Sequence, residues 1–164
     1  MDTQSEQREH LYDILKDFDT AMLVTQTPDG GIHARPMAVA ELSAESDAYF
    51  VTSMEAAKVA EITAQPLLTI TFQSSNQFAS VTGIGTVTRD QAQIDRLWNA
   101  GWEIWFPKGK SDPSVTLIKF QARDGEYWNN AGMQGVKYFF KVVKAYVAGE
   151  KPAMDDKLHA KVKL

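Results

Sequence analysis

The sequence predicts an α+β protein, mainly β, in which six antiparallel strands form a barrel and helices lie on its flanks. The first sign is a series of short β-branched and aromatic runs, separated by tight turn signals rather than long connections. Secondly, helical patterns interrupt these runs irregularly, whereas a doubly wound parallel sheet needs regular strand–helix alternation. Thirdly, 164 residues are enough for one domain with a real core, and no repeats or low-complexity linkers divide the chain. Residues 1–150 read as that domain, and 151–164 as a polar C-terminal tail.

Each element has a local reason. Thr3 with Glu6 has the spacing of a capping box, and Leu11, Ile14, Leu15 and Phe18 mark one face of the helix that follows. "AMLVTQT" reads as a strand, "PDGG" as a tight turn, and "IHARPMAVAEL" as the hairpin partner. "SAESD" closes that strand. In "YFVTSMEAAKVAEI", residues 49–62, a strand changes into a helix, with Thr52 placed three residues before Glu55 as a second capping box. Pro66 stops this helix, "LLTITFQ" is a strand, and "SSNQ" turns into the strand "FASVTGIGTVTRD". The "GIG" within it, residues 83–85, is too short for a phosphate loop and suits a bend or bulge. Asp90 caps a short helix carrying Ile94, Leu97 and Trp98. "VTLIKFQA" and "EYW" are the last strands, joined by "RDG". Val136, Phe139, Phe140, Val143 and Val147 trace a stripe on a final helix, and Lys137, Lys141 and Lys144 form its solvated face.

Composition narrows the function classes. The apolar fraction of 44% and charged fraction of 23% are those of a soluble globular protein, and a net charge of −4 argues against a nucleic-acid partner. No apolar run approaches the roughly 20 residues that span a bilayer, and "MDTQSEQREH" has no secretory h-region, so a cytoplasmic location is expected. Without cysteine there is no disulfide, thiolate or ordinary iron–sulfur chemistry. His10, His33 and His159 lack acidic neighbours at ligand spacing, so a metal site is not expected. No nucleophile elbow or carboxylate pair stands out, which turns attention to chemistry supplied by a cofactor.

Three stretches could hold one. Lys58 sits in the first turns of its helix, where a cation opposes the dipole unless an anion is present. Arg35 interrupts an alternating strand beside Pro36, and a structural arginine explains it as well as a ligand does. In "LWNAGWEIWFPKGKSDP", Trp98 is in register with Ile94 and suits the core. Trp105 and Phe106 lie in a loop, where large aromatics line an interface or a ligand.

"ARPM", "YFVTSMEAAKVAEI", "FASVTGIGTVTRD", "WFPKGKSDPSVTLIKF" and "EYW" follow one another in an order and spacing that resembles the pyridoxamine 5'-phosphate oxidase-like, FMN-binding split-barrel family, within it the bacterial general stress protein branch. The resemblance covers residues 5–150 and implies a six-stranded antiparallel split β-barrel with FMN as cofactor. It implies that Thr52 and Ser53 match hydroxyls at the flavin phosphate and that Lys58 matches the phosphate-pairing lysine. Arg35, Pro36 and Met37 match the strand that runs along the flavin, Ser80 a position near the ribityl chain, and Trp105 an aromatic reaching in from a second subunit. A homodimer with flavin at its interface is implied, as is a flavin oxidoreductase of unknown substrate, with a non-catalytic flavin-binding or flavin-sensing stress protein as the alternative. A deazaflavin stays open, while haem lacks a well-placed ligand. The chain ends "AMDDKLHAKVKL", without the arginine and histidine motif of the true oxidases, so pyridoxamine phosphate is not the expected substrate.

Overall fold

The computed structural model describes residues 3–130, 132–149 and 158–164. In chain order the elements are α1 (Gln4–Leu15), β1 (Thr20–Gln26), β2 (Ile32–Leu42), β3 (Ala48–Ser53), α2 (Ala57–Ala64), β4 (Leu67–Gln73), β5 (Gln77–Thr88), α3 (Gln91–Leu97), β6 (Val115–Asn129), α4 (Gly132–Ala148) and β7 (His159–Lys163). Two 3₁₀ turns, Ala100–Ile104 and Gly109–Ser111, lie between α3 and β6.

The strands run β3-β2-β1-β4-β5-β6-β7, and a β3–β6 pairing closes the first six into an antiparallel barrel. This is the predicted fold. Period-two alternation fills the interior: Leu23 from β1, Phe50 from β3, Ile70 and Phe72 from β4, Val81 from β5 and Phe120 from β6 are all buried. The α1 capping box forms as expected, the Thr3 hydroxyl accepting from the Glu6 N–H and Glu6 accepting from the Thr3 N–H, and Leu11, Ile14 and Leu15 are buried. A second cluster, Ile94, Trp102, Phe106, Val115 and Leu117, packs outside the barrel, with Trp98 against it edge to face with Trp102. The first four residues of β6 are therefore buried on both faces, between the two clusters.

Three local expectations are corrected. "RDG" is no turn: β6 runs unbroken through it, because β5 supplies a ladder from Leu117 to Asn129. One extra residue, Arg123, is absorbed as a bulge opposite Thr82 and Gly83. The bulge thus lies in β6 opposite the "GIG" where a bend or bulge was expected, and at Gly83 a Cβ would lie 2.1 Å from the Gln121 carbonyl oxygen, so the close approach there requires glycine. Gly125, which made "RDG" resemble a turn, leaves room for Leu11, whose Cδ2 would meet a Cβ at 2.5 Å.

Below the bulge, Val115–Phe120 of β6 pair with β3; above it, Asp124–Trp128 pair with β7. His159–Lys163 are thus a strand rather than part of a polar tail, and Leu158, Ala160 and Val162 are buried by alternation. Finally, α2 begins at Ala57, five residues after the expected cap at Thr52. Thr52 is no cap, because β3 continues through it: Thr52 pairs with Thr116, and the Met54 N–H still bonds to the Ser114 carbonyl.

Candidate functional site

The mouth of the barrel beneath α2 gathers the polar groups that the interior otherwise excludes. Strand alternation turns Thr25 of β1 and Thr52 of β3 inward, where they are 1% and 6% exposed. Arg35 of β2 lies between exposed Ala34 and Pro36, and its guanidinium donates from Nη1 to the Thr25 hydroxyl at 2.5 Å and from Nη2 to Glu61 Oε2 at 2.9 Å. Glu61 comes from α2 and is almost fully buried, which a carboxylate tolerates only with partners. It accepts from the Thr25 hydroxyl at 2.5 Å, and its Oε1 lies 2.9 Å from His33 Nδ1. These hydrogen bonds, Thr25's foremost, hold its carboxyl below the usual carboxylate range against the opposing effect of burial.

Lys58 lies one helical turn before Glu61, so α2 brings both to the same side. Its Nζ donates to the Thr52 hydroxyl at 3.2 Å. Burial is the main cause of its depressed pKa and the neighbouring Arg35 charge the second, while Glu61 acts in the opposite direction. Among the described residues no carboxylate forms an ion pair with Lys58. The first turn of α2 also lacks a side-chain cap, Ala56 standing at the cap position. Two cations beside one carboxylate and an uncapped helix start make a site suited to an anion.

Of the predicted residues, the structure brings Arg35, Thr52 and Lys58 together at this mouth. Ser53 follows at the end of β3, half-buried, its hydroxyl accepting from the Glu55 N–H at 3.3 Å. Pro36 is exposed on the outer face of β2, and Met37 is buried in the main core. Ser80 is elsewhere in this chain: it lines a groove of about 320 Å³ on the outside of β5, β6 and β7 with Asp124, Glu126 and Lys161. Trp105 projects from the turn after Ala100–Ile104 and is 70% exposed, whereas Phe106 beside it is buried.

Glu61, Thr25 and His33 escape a reading of the sequence. The available signals were a glutamate between Val59 and Ile62 on a helix that must pack, and His33 at strand period two from Arg35. His33 does have an acidic neighbour, Glu61, supplied from 28 residues further along the chain. His159 likewise meets Glu126 at 2.7 Å across the β6–β7 pair. No group of three or more histidine, aspartate or glutamate side chains among the described residues could hold a metal.

The profile of the family described as "Pyridoxamine 5'-phosphate oxidase like" matches residues 6–153. The chain belongs to this family. Solved structures agree with the fold. A general stress FMN/FAD binding protein from Xanthomonas citri is 32% identical, with 77% of this chain and 91% of that one covered and a TM-score of 0.66. A protein from Clostridium acetobutylicum related to general stress protein 26 of B. subtilis is 20% identical over 79% and 91% of the two chains, with a TM-score of 0.69. General Stress Protein 26 from Bacillus anthracis is also 20% identical, over 73% and 92%, with a TM-score of 0.65. No curated protein matches the chain. Among the described residues no helix is long and apolar enough to cross a membrane.

Proposed function

We propose that this protein binds FMN at the barrel mouth, works as a homodimer, and is a stress-related flavin oxidoreductase. The observation that carries the reading is the pairing of Lys58 and Arg35 around one carboxylate at the uncapped start of α2. Those residues fit a terminal phosphate: Lys58 brings a cation with no ion-pair partner among the described residues, Arg35 donates only two of its five N–H groups to Thr25 and Glu61 there, and the first amides of α2 face an anion favourably. The Thr52 hydroxyl holds the Lys58 ammonium in place, and Ser53 offers a second hydroxyl at the strand end. The FMN/FAD binding of the 32%-identical Xanthomonas protein supports the same ligand class.

A bound flavin would supply hydride or electron transfer. The chain's own part is to anchor the phosphate, to hold the strand of Arg35, Pro36 and Met37 along the ligand, and to keep it out of bulk water. Ser80 faces a groove of β5, β6 and β7, away from this mouth, and Trp105 is exposed, which suits an aromatic that reaches the flavin of a second copy. Exposed Ile32 on β2, together with Trp105, gives such a copy an apolar surface to cover.

The visible spectrum of the purified protein tests the reading, with mass spectrometry of the released compound. Flavin bands and the mass of FMN are expected, and a colourless protein that binds no added FMN would refute it. Sedimentation should give a dimer. Turnover is then read from the rate at which the reduced flavin passes electrons to acceptors; no useful rate with any of them would make this a flavin-holding protein.

A further inference from the structure

Glu61 is the carboxylate between the two cations and the most buried charge at the mouth, its side chain 7% exposed. Thr25, His33 and Arg35 all converge on it. Oε2 takes both the Thr25 hydroxyl and Arg35 Nη2, and Oε1 faces His33. The charges then add simply. Arg35 is matched by Glu61, and Lys58 has no carboxylate ion-pair partner among the described residues. Without the carboxylate, the mouth would present two adjacent uncompensated cations, each raising the attraction for an anion.

We infer that Glu61 sets the charge of this site: by neutralising Arg35 it limits how tightly a phosphate group is held and keeps the empty mouth from self-repulsion. The inference rests on the mouth receiving a phosphate, but it concerns the strength of the hold and not the rest of the ligand. Glutamine separates charge from shape. In Glu61→Gln the amide oxygen can keep the Thr25 and Arg35 hydrogen bonds, and the amide nitrogen can donate to His33 Nδ1 in the other tautomer. The geometry survives and the negative charge does not.

The experiment titrates wild type, Glu61→Gln and Glu61→Asp with inorganic phosphate, FMN and riboflavin at low ionic strength, with folding checked by circular dichroism. Glu61→Gln should bind phosphate and FMN on the order of tenfold more tightly, with riboflavin unchanged. Added salt should shrink the gain, because the effect is Coulombic. Glu61→Asp retains the charge and should hold phosphate within about threefold of wild type. Unchanged or weaker phosphate binding in Glu61→Gln would overturn the inference and make Glu61 a purely structural strut. So would a loss in Glu61→Asp well beyond that range, and this variant alone decides if Glu61→Gln does not fold. Wild type that binds phosphate but neither flavin would refute the proposed function while leaving this test intact; wild type that binds none of the three would refute both.

Discussion

Replacing Lys58 with methionine keeps a half-buried aliphatic stem on α2 and removes only the ammonium. In the empty protein that ammonium is disfavoured: burial, and after it the Arg35 charge, hold its pKa below the ordinary 10.5. A base whose folded value lies below its unfolded one costs stability wherever both states are charged, and the cost disappears as pH rises from the folded value toward 10.5. At neutral pH the empty Lys58→Met protein should therefore be at least as stable as wild type, and the difference should narrow in alkali. A bound phosphate reverses the balance. A charge-assisted contact to it is worth about 1.5–3 kcal/mol, so FMN affinity should fall roughly ten- to a hundredfold. Riboflavin lacks the phosphate and should bind both proteins equally. Fluorescence-quenching titrations of the two flavins, with thermal melts of the apo proteins, make the measurement. Equal losses for both flavins, or no loss for FMN, would refute the argument that Lys58 serves a phosphate.

Ser46 is fully buried at φ 68°, and its hydroxyl has no hydrogen-bond partner among the described residues. Ser46→Gly removes a left-handed strain of about 1–2 kcal/mol and an unpaired hydroxyl, against up to about 1 kcal/mol of extra chain entropy, so thermal unfolding should show a gain near 1 kcal/mol. Gly83→Ala sets a methyl against the Gln121 carbonyl and should lose more than about 2 kcal/mol in urea unfolding, since backbone on both sides of the bulge would have to move. Glu61 has a folded pKa below its ordinary 4.5, so its stabilisation is present above that value and lost as pH falls through the folded one. The acid limb of the stability curve below 4.5 should accordingly be shallower in Glu61→Gln than in wild type.

What the sequence determined by itself is what neighbouring residues decide together. Thr3 and Glu6 cap α1, Asp90 accepts the Ala92 and Gln93 N–H groups at the start of α3, and alternation in "LLTITFQ" puts Leu68, Ile70 and Phe72 inside. These signals act over one turn of helix or one pleat, and the barrel follows from their order. Tertiary structure decided wherever a distant partner outweighed a local preference. "RDG" has turn chemistry, but β5 offered continuous hydrogen bonds and kept β6 extended through it. "LHAKVKL" alternates, but its lysines hide a strand until the free edge of β6 is known to be waiting for it. Thr52 has the spacing of a cap, but pairing with Thr116 held it in β3. The mouth is the fullest case. Lys58 and Arg35 were legible as out-of-place cations, whereas Glu61, Thr25 and His33 became visible only when α2 closed over β1 and β2. A buried charge is recognised by the partners that the fold brings to it, and those partners lie far away along the chain.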